Sequence, residues 1–291
     1  MINYVKSALR LSLSSLFLSV FAMPHLAAAE DTAPQRITSV GSSITEIIYA
    51  LGEEDRLVAV DTTSLYPPEA QKLPNVGYMR ALSAEGLLSV EPDLVLMVEG
   101  SGPENTLDVL KASSVPIIPI PEEHSLDGVK AKIEKVAAAL SVEDKGKKLI
   151  AAFDKDAEAL AKITAAMPAK PSVMFVLSVG SDRLMVSGLN TGANAAIELA
   201  GGRNAMDTYD GYKQVTVEAV VEAQPDIILL SKRLQTDKPE EKLAAIPGIE
   251  LTPAGQNEAF VTMDAVYLLG FGPRAASAIK DLSVKLSELA S

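Results

Sequence analysis

The sequence predicts an α/β protein of two lobes, each built on a central, mainly parallel sheet, with a long helix bridging them. Three observations predict it. Short β-branched runs alternate with helical patterns in both halves, an Ala/Lys/Glu-rich helical stretch crosses the middle, and one segment of the first half recurs in the second. In the first half the strand signals are Ile37 to Val40, Leu57 to Val60, Leu94 to Val98 and Pro116 to Ile120, separated by the helical stretches Ser43 to Leu51 and Ala84 to Val90. From Leu126 to Met167 no strand signal appears, and Val129, Ile133, Val136 and Leu140 keep helical spacing. After Pro168 and Pro171, strands resume at Val173 to Leu177, Arg183 to Val186, Ile227 to Leu230 and Phe260 to Met263, with a helix over Thr191 to Leu199. The expected organisation is therefore 30–125, a first α/β lobe; 126–168, a helical linker; and 169–291, a second α/β lobe. A single larger doubly wound domain is the alternative.

The recurrence holds residue by residue. The segment from Ser83 to Leu96, with Glu85, Pro92 and Asp93, matches that from Thr216 to Leu229, with Glu218, Pro225 and Asp226, at a constant offset of 133. In each copy a Ser or Thr caps a helix whose first turn carries a Glu, and Pro-Asp turns the chain into a buried strand. A weaker echo sets Ser42 to Gly52 against Thr191 to Gly201.

Residues 1–29 read as a secretory signal. Lys6 and Arg10 precede an apolar run from Leu11 to Met23, and Ala27-Ala28-Ala29 supplies the small residues of a cleavage site. The run is too short for a membrane span. No Cys stands near the cleavage point, or anywhere else, so neither lipid attachment there nor a disulfide is expected. A periplasmic protein with no membrane insertion after signal removal follows. The chain has 26 Lys+Arg against 38 Asp+Glu, a net charge of −12, and no basic block, which argues against nucleic acid as a partner.

Enzyme signatures are poor. The chain lacks G-x-S-x-G, G-x-x-x-x-G-K-[ST] and H-E-x-x-H. Gly270-Phe-Gly272-Pro-Arg-Ala275 fits G-x-G-x-x-A but stands too near the C-terminus for a dinucleotide-binding unit, and reads instead as a helix start. His124 is the only His of the mature chain, leaving little material for His-based zinc sites or triads.

In open α/β sheets ligands bind beyond the carboxyl ends of the strands. The first lobe presents there Gly41-Ser42, Asp61 to Pro68, Glu99 to Gly102 and Pro121 to His124. The second presents Ser178 to Ser181, Ser231 to Arg233 and the stretch after Met263. Pro67 holds the residue before it extended, which gives the Tyr66 side chain a defined direction.

Asp61-Thr-Thr-Ser-Leu-Tyr66-Pro, followed by Leu73-Pro-Asn-Val-Gly-Tyr-Met-Arg80-Ala-Leu-Ser-Ala-Glu85-Gly, strongly resembles the periplasmic haem-binding proteins of bacterial haemin ABC importers, a branch of the cobalamin/siderophore-type binding proteins. The resemblance covers essentially the whole mature chain. It implies haem b as the transported ligand between two lobes, Tyr66 as axial ligand to its iron, and Glu85 and Glu218 as docking points, one per lobe, for an inner-membrane ABC permease with its ATPase. By the same resemblance Arg233 corresponds to a second-lobe Arg that helps hold haem. Lys232, Arg80 and Ser64 complete the expected haem-binding set.

Ferric iron is a hard acid suited to an anionic oxygen, and a cation near the phenolate, from Lys232, Arg233 or Arg80, would favour it. Some relatives carry a basic residue two positions after the ligand Tyr, where this chain has Pro68, and some use a second-lobe His for a second haem, which this chain lacks. One haem and a monomer are expected. His124, at a first-lobe strand end, is a candidate sixth ligand whose plainer reading is a solvated loop residue. Tyr78, Tyr209, Tyr212 and Tyr267 read as packing or cleft-wall residues, and Glu85 and Glu218 also fit as simple helix-start acids. The rival functions are a binder of cobalamin or a ferric siderophore, which needs no phenolate, and a periplasmic enzyme acting in the same cleft.

Overall fold

The computed structural model describes residues 33–180, 183–232 and 238–290. The signal segment read at 1–29 and Arg233 lie outside them. The first half runs β1 (Ile37–Val40), α1 (Ser42–Ala50), β2 (Leu57–Val60), α2 (Ala84–Leu88), β3 (Leu94–Val98), α3 (Glu104–Lys111) and β4 (Ile117–Ile120). These strands form a four-stranded sheet, order β2-β1-β3-β4, in which every pairing is parallel. Two helices follow, α4 (Leu126–Ala139) and α5 (Glu143–Ala165). The second half comprises β5 (Ser172–Val179), β6 (Leu184–Ser187), α6 (Gly192–Leu199), β7 (Arg203–Asn204), β8 (Tyr212–Val215), α7 (Val217–Ala223), β9 (Ile227–Lys232), α8 (Pro239–Ala244), α9 (Pro253–Gln256), β10 (Phe260–Asp264), α10 (Ala265–Leu269) and α11 (Ala275–Leu289).

Apolar alternation shows why the strands read as continuous runs. Leu94, Leu96 and Val98 enter one core and Val95 and Met97 another, so β3 is covered on both faces. In the second half Val173 and Phe175 face the core shared with the first half, whereas Met174 and Val176 face a separate cluster with Val186, Leu230 and Ile249. The shared core takes Ile37, Ile44 and Leu96 from the first half, Phe153 and Leu160 from α5, and Ile197, Leu229 and Ile279 from the second. Two sheets thus rest on one continuous apolar body, and residues 33–291 form one compact unit.

The internal recurrence is structural. α2 and α7 begin 133 residues apart, as do β3 and β9. Asp93 accepts hydrogen bonds from the Gln35 and Arg36 amides ahead of β1 (2.7 and 3.0 Å), and Asp226 accepts one from the Ser172 amide that opens β5 (2.7 Å). Each aspartate therefore clamps the start of the strand beside its own. The weaker echo also holds: α1 and α6 both end at a positive-φ glycine, Gly52 and Gly201.

Two features differ from the expectation. The stretch 126–168 is two helices, because Ser141 adopts φ 58° and the Val142 and Ser141 amides bond back to the Ala137 and Ala138 carbonyls, a Schellman stop built without glycine. α5 then packs along both α4 and α11, fastening the first half to the second. The second sheet, order β10-β9-β5-β6-β8, is parallel through β10-β9-β5 but antiparallel at β5-β6 and β6-β8. β6 folds straight back on β5, so the second half does not fully repeat the first.

Gly41, between β1 and α1, has φ 119°, and a Cβ there would stand 2.4 Å from Val98 Cγ2. Gly41→Ala is expected to cost about 1–3 kcal/mol from backbone strain and overpacking, read as a lower urea midpoint. An unchanged midpoint would contradict this account of the turn.

Candidate functional site

The loop after β2 is organised by one buried carboxylate. Asp61, 1 % exposed, accepts from the Gly41 amide (3.0 Å), the Thr63 amide (3.1 Å), the Thr63 hydroxyl and the Ser64 hydroxyl (2.9 Å). The Ser64 hydroxyl also pairs with that of Thr45 (2.7 Å), which pairs with Ser39 (2.8 Å). A buried anion held by this many donors is a rigid node, and two residues beyond Ser64 the chain presents Tyr66. The Thr62 amide donates to the Gly77 carbonyl (2.9 Å), drawing the loop that carries Tyr78 and Arg80 alongside.

Tyr66 is 39 % exposed, and its hydroxyl makes no hydrogen bond to any described residue. It lines a pocket of about 380 Å³ with Leu65 and Pro68 from the first lobe and Val266, Tyr267 and Arg274 from the second, within the size range of small-molecule sites. The guanidinium carbon of Arg274 lies 3.4 Å from the centroid of the Tyr66 ring and 5.1 Å from that of Tyr267. Glu46, on α1 and 7 % exposed, grips the same guanidinium as a fork, Nε to Oε1 at 2.9 Å and Nη2 to Oε2 at 2.8 Å. Burial works against the Arg274 charge, but the hydrogen bonds and charge of Glu46 more than offset it and hold this guanidinium above its ordinary pKa.

The two pocket tyrosines differ in their hydrogen bonding. The Tyr267 hydroxyl donates to Asp281 (3.0 Å), and its phenol is pushed up to about 12 by burial and then by that carboxylate. It is a neutral phenol with its proton committed. The Tyr66 oxygen is uncommitted.

The other expected residues are distributed around this centre. Ser64 is 2 % exposed and belongs to the Asp61 node, so it shapes the loop from within. Lys232 is exposed at the end of β9, in register with Asp264, itself a pocket residue. Arg80 is exposed, and neither Arg80 nor Lys232 has an ion-pair partner among the described residues. His124 does not line the pocket. Its ring packs edge-on against Phe271, centroids 4.9 Å apart, and burial, with a smaller push from Lys132, lowers its pKa against the opposing pull of Glu122. Glu85 and Glu218 are both exposed in the first turns of α2 and α7.

Sequence reasoning missed Arg274 and Glu46. The available signal was Gly270-Phe-Gly272-Pro-Arg274, read only as a helix start, in the stretch after Met263 already assigned to the cleft. Gly272 lets that stretch lie against α1: a Cβ there would sit 3.4 Å from the Glu46 carboxyl. Among the described residues no cluster of three His, Cys, Asp or Glu could hold a bare metal ion, and no helix is long and apolar enough to cross a membrane.

Comparison with known proteins agrees with this geometry. The family model described as "Periplasmic binding protein" matches residues 37–267. The solved structure of the periplasmic haem-binding protein BhuT in complex with two haems superimposes with a TM-score of 0.82 at 41 % identity, covering 88 % of this chain and 99 % of that one. The apo form of the periplasmic haem-binding protein RhuT from Roseiflexus sp. RS-1 does so with a TM-score of 0.82 at 38 % identity, covering 88 % and 99 %. A vitamin B12-binding protein of Yersinia pestis is 29 % identical over 218 residues, 74 % of each chain. These relatives are binding proteins, not enzymes, and the family serves ABC importers from the periplasm or as lipoproteins. With its two lobes, its bridging helices and a family match spanning most of its length, the chain belongs to the periplasmic binding protein family of ABC transporters.

Proposed function

We propose that this protein captures ferric haem in the pocket between its lobes, with Tyr66 as axial ligand, and delivers it in the periplasm to an inner-membrane ABC permease and its ATPase. The observation that carries the reading is the Tyr66 oxygen: exposed on the pocket wall, on a loop fixed by Asp61, and without a hydrogen-bond partner among the described residues, while its neighbour Tyr267 is tied to Asp281. An oxygen donor of this kind suits a hard ferric centre. The haem-binding names of the relatives at 41 % and 38 % identity point the same way. Lys232, Arg80 and Arg233 supply cations for the propionates, and Arg274 is the cation already against the ligand ring. With no second-lobe His in the sequence, one haem per monomeric chain is the simplest stoichiometry, even though one relative holds two.

The vitamin B12-binding relatives favour a second reading, cobalamin in the same pocket. Titrating the purified mature chain with haemin and, separately, with cobalamin distinguishes them. A phenolate-to-iron charge-transfer band saturating at one haemin per chain supports the proposal. An unchanged free-haemin spectrum beside a saturable cobalamin response rejects it.

Glu85 and Glu218 occupy matched first-turn positions, one per lobe, as a partner gripping both lobes requires. The double variant Glu85→Ala/Glu218→Ala is expected to lower haem uptake by about tenfold, the scale of losing charge-assisted contacts on both sides, with haemin affinity intact. Normal uptake by that variant would remove the docking role.

A further inference from the structure

We infer that a groove along α8 on the second lobe, ending beside the helix that carries Glu218, is a docking surface for the periplasmic face of the importer. It takes an apolar side chain of that partner, flanked by a carboxylate for Lys242 and a basic group for Glu218. The inference rests on the docking reading of Glu85 and Glu218 and goes beyond it, since that reading gives the partner two matched acids and nothing else.

The first ground is the groove itself. Two adjoining hollows, of about 230 and 350 Å³, share Val179 and Lys242. The inner one lies at the ends of β5 and β9, with Leu230 and Pro239 in its wall, and the outer one runs along Ala245, Ile246 and Pro247. Among the described residues neither shares a lining residue with the pocket that Tyr66 lines, and Lys242 is the only polar side chain of the outer hollow. A small-molecule site orients its ligand through several placed polar groups. Apolar walls with one cation suit instead a side chain that a partner's own backbone already positions.

The second ground is continuity with the docking acid. Pro247, at the end of the outer hollow, leads to Gly248, where a Cβ would stand 2.9 Å from Val217 Cγ1. Val217 directly precedes Glu218, so the groove's end meets α7 one residue before the acid.

The third ground is charge. Lys238, at the start of α8, is paired with Glu241, whereas Lys242 is exposed and has no ion-pair partner among the described residues. An unpaired cation in the groove and an anion beyond its end thus face the partner together. The first lobe is different: at the offset of 133 that relates the halves, Lys242 stands where α3 carries Val109, 55 % exposed. The two acids are matched, but their surroundings are not. A partner reading only the acids would meet the same feature on each lobe, and the groove tells it which lobe it holds.

The test measures binding of the full mature chain to the inner-membrane importer of the same bacterium in lipid nanodiscs, with haemin titration and thermal melting of each variant alongside. Lys242→Glu is expected to weaken binding by about tenfold, from like charges set together across a contact. Ala245→Trp, which fills the outer hollow from an exposed position, should weaken it by at least about tenfold through steric exclusion. Both should keep the wild-type haemin titration and melting point. Lys148→Glu, the same charge change at an exposed site on α5, should bind within about twofold of wild type, since salt screens distant charges. Wild-type binding by Lys242→Glu and Ala245→Trp, beside a loss in Glu85→Ala/Glu218→Ala, would overturn this inference alone. Wild-type binding by the acid double variant is a different result, because it removes the docking reading itself. An equal loss in Lys148→Glu would reduce the Lys242 effect to net charge and overturn its role. A wild-type chain that self-associates, and that Ala245→Trp makes monomeric, would give the groove to a second copy instead.

Discussion

Replacing Tyr66 by Phe is expected to abolish the phenolate-to-iron band and to weaken haemin binding by at least about a hundredfold, since loss of a metal's supporting contacts alone costs 10–100-fold. The substitution removes a single oxygen. The ring that packs under Arg274 is retained, the pocket wall of Leu65 and Pro68 is untouched, and the Asp61 node that fixes the loop does not involve the Tyr66 side chain. Apo stability should therefore stay within about 0.5 kcal/mol, as for other exposed positions. Tyr267→Phe is the matched control: it removes a hydroxyl bonded to Asp281 from the same pocket and should leave the band in place. A Tyr66→Phe chain that keeps band and affinity, or a Tyr267→Phe chain that loses them, would assign the iron to another ligand.

How far the sequence discloses such a site depends on the range of the contacts that make it. β3 is legible because burial on both faces writes an unbroken apolar run, and Tyr66 because Pro67 and the Asp61 loop lie beside it in the chain. The helix stop at Ser141 is not legible, since a left-handed serine replaces the usual glycine. Nor is β8, whose Tyr212, Lys213 and Gln214 are exposed and show no apolar alternation, nor the antiparallel return of β6, because residue patterning does not encode strand direction. Arg274 is the clearest case. Its meaning comes from Glu46, 228 residues earlier, and no local pattern marks either residue as the other's partner. Local sequence points to Lys232 and Arg233 at a strand end and to Arg80 in the run that follows Tyr66, whereas the cation on the ring enters from a helix start.

The same long-range logic makes Lys132 the most sensitive position for stability. This lysine, on α4 and 1 % exposed, donates to Glu122 (3.0 Å), the Phe271 carbonyl (3.2 Å) and the Ser43 hydroxyl (3.3 Å), so its three N–H groups meet three acceptors from separate parts of the chain. Burial lowers its pKa and Glu122 opposes that fall. An ion placed so deep is costly, but removing one partner is costlier than the pair. Lys132→Ala should cost about 3–5 kcal/mol, leaving the Phe271 carbonyl and Ser43 without a donor and a void where three methylenes and the ammonium packed. Lys132→Met, which fills the void but still lacks the donors, should cost less. Because Ser43 lies in the first lobe and Phe271 in the second, and because one apolar core runs beneath both, urea unfolding should shift as one transition. Two separated transitions in Lys132→Ala would show that the lobes are held together chiefly by this contact, and a midpoint close to wild type would show that water replaces the ammonium at little cost.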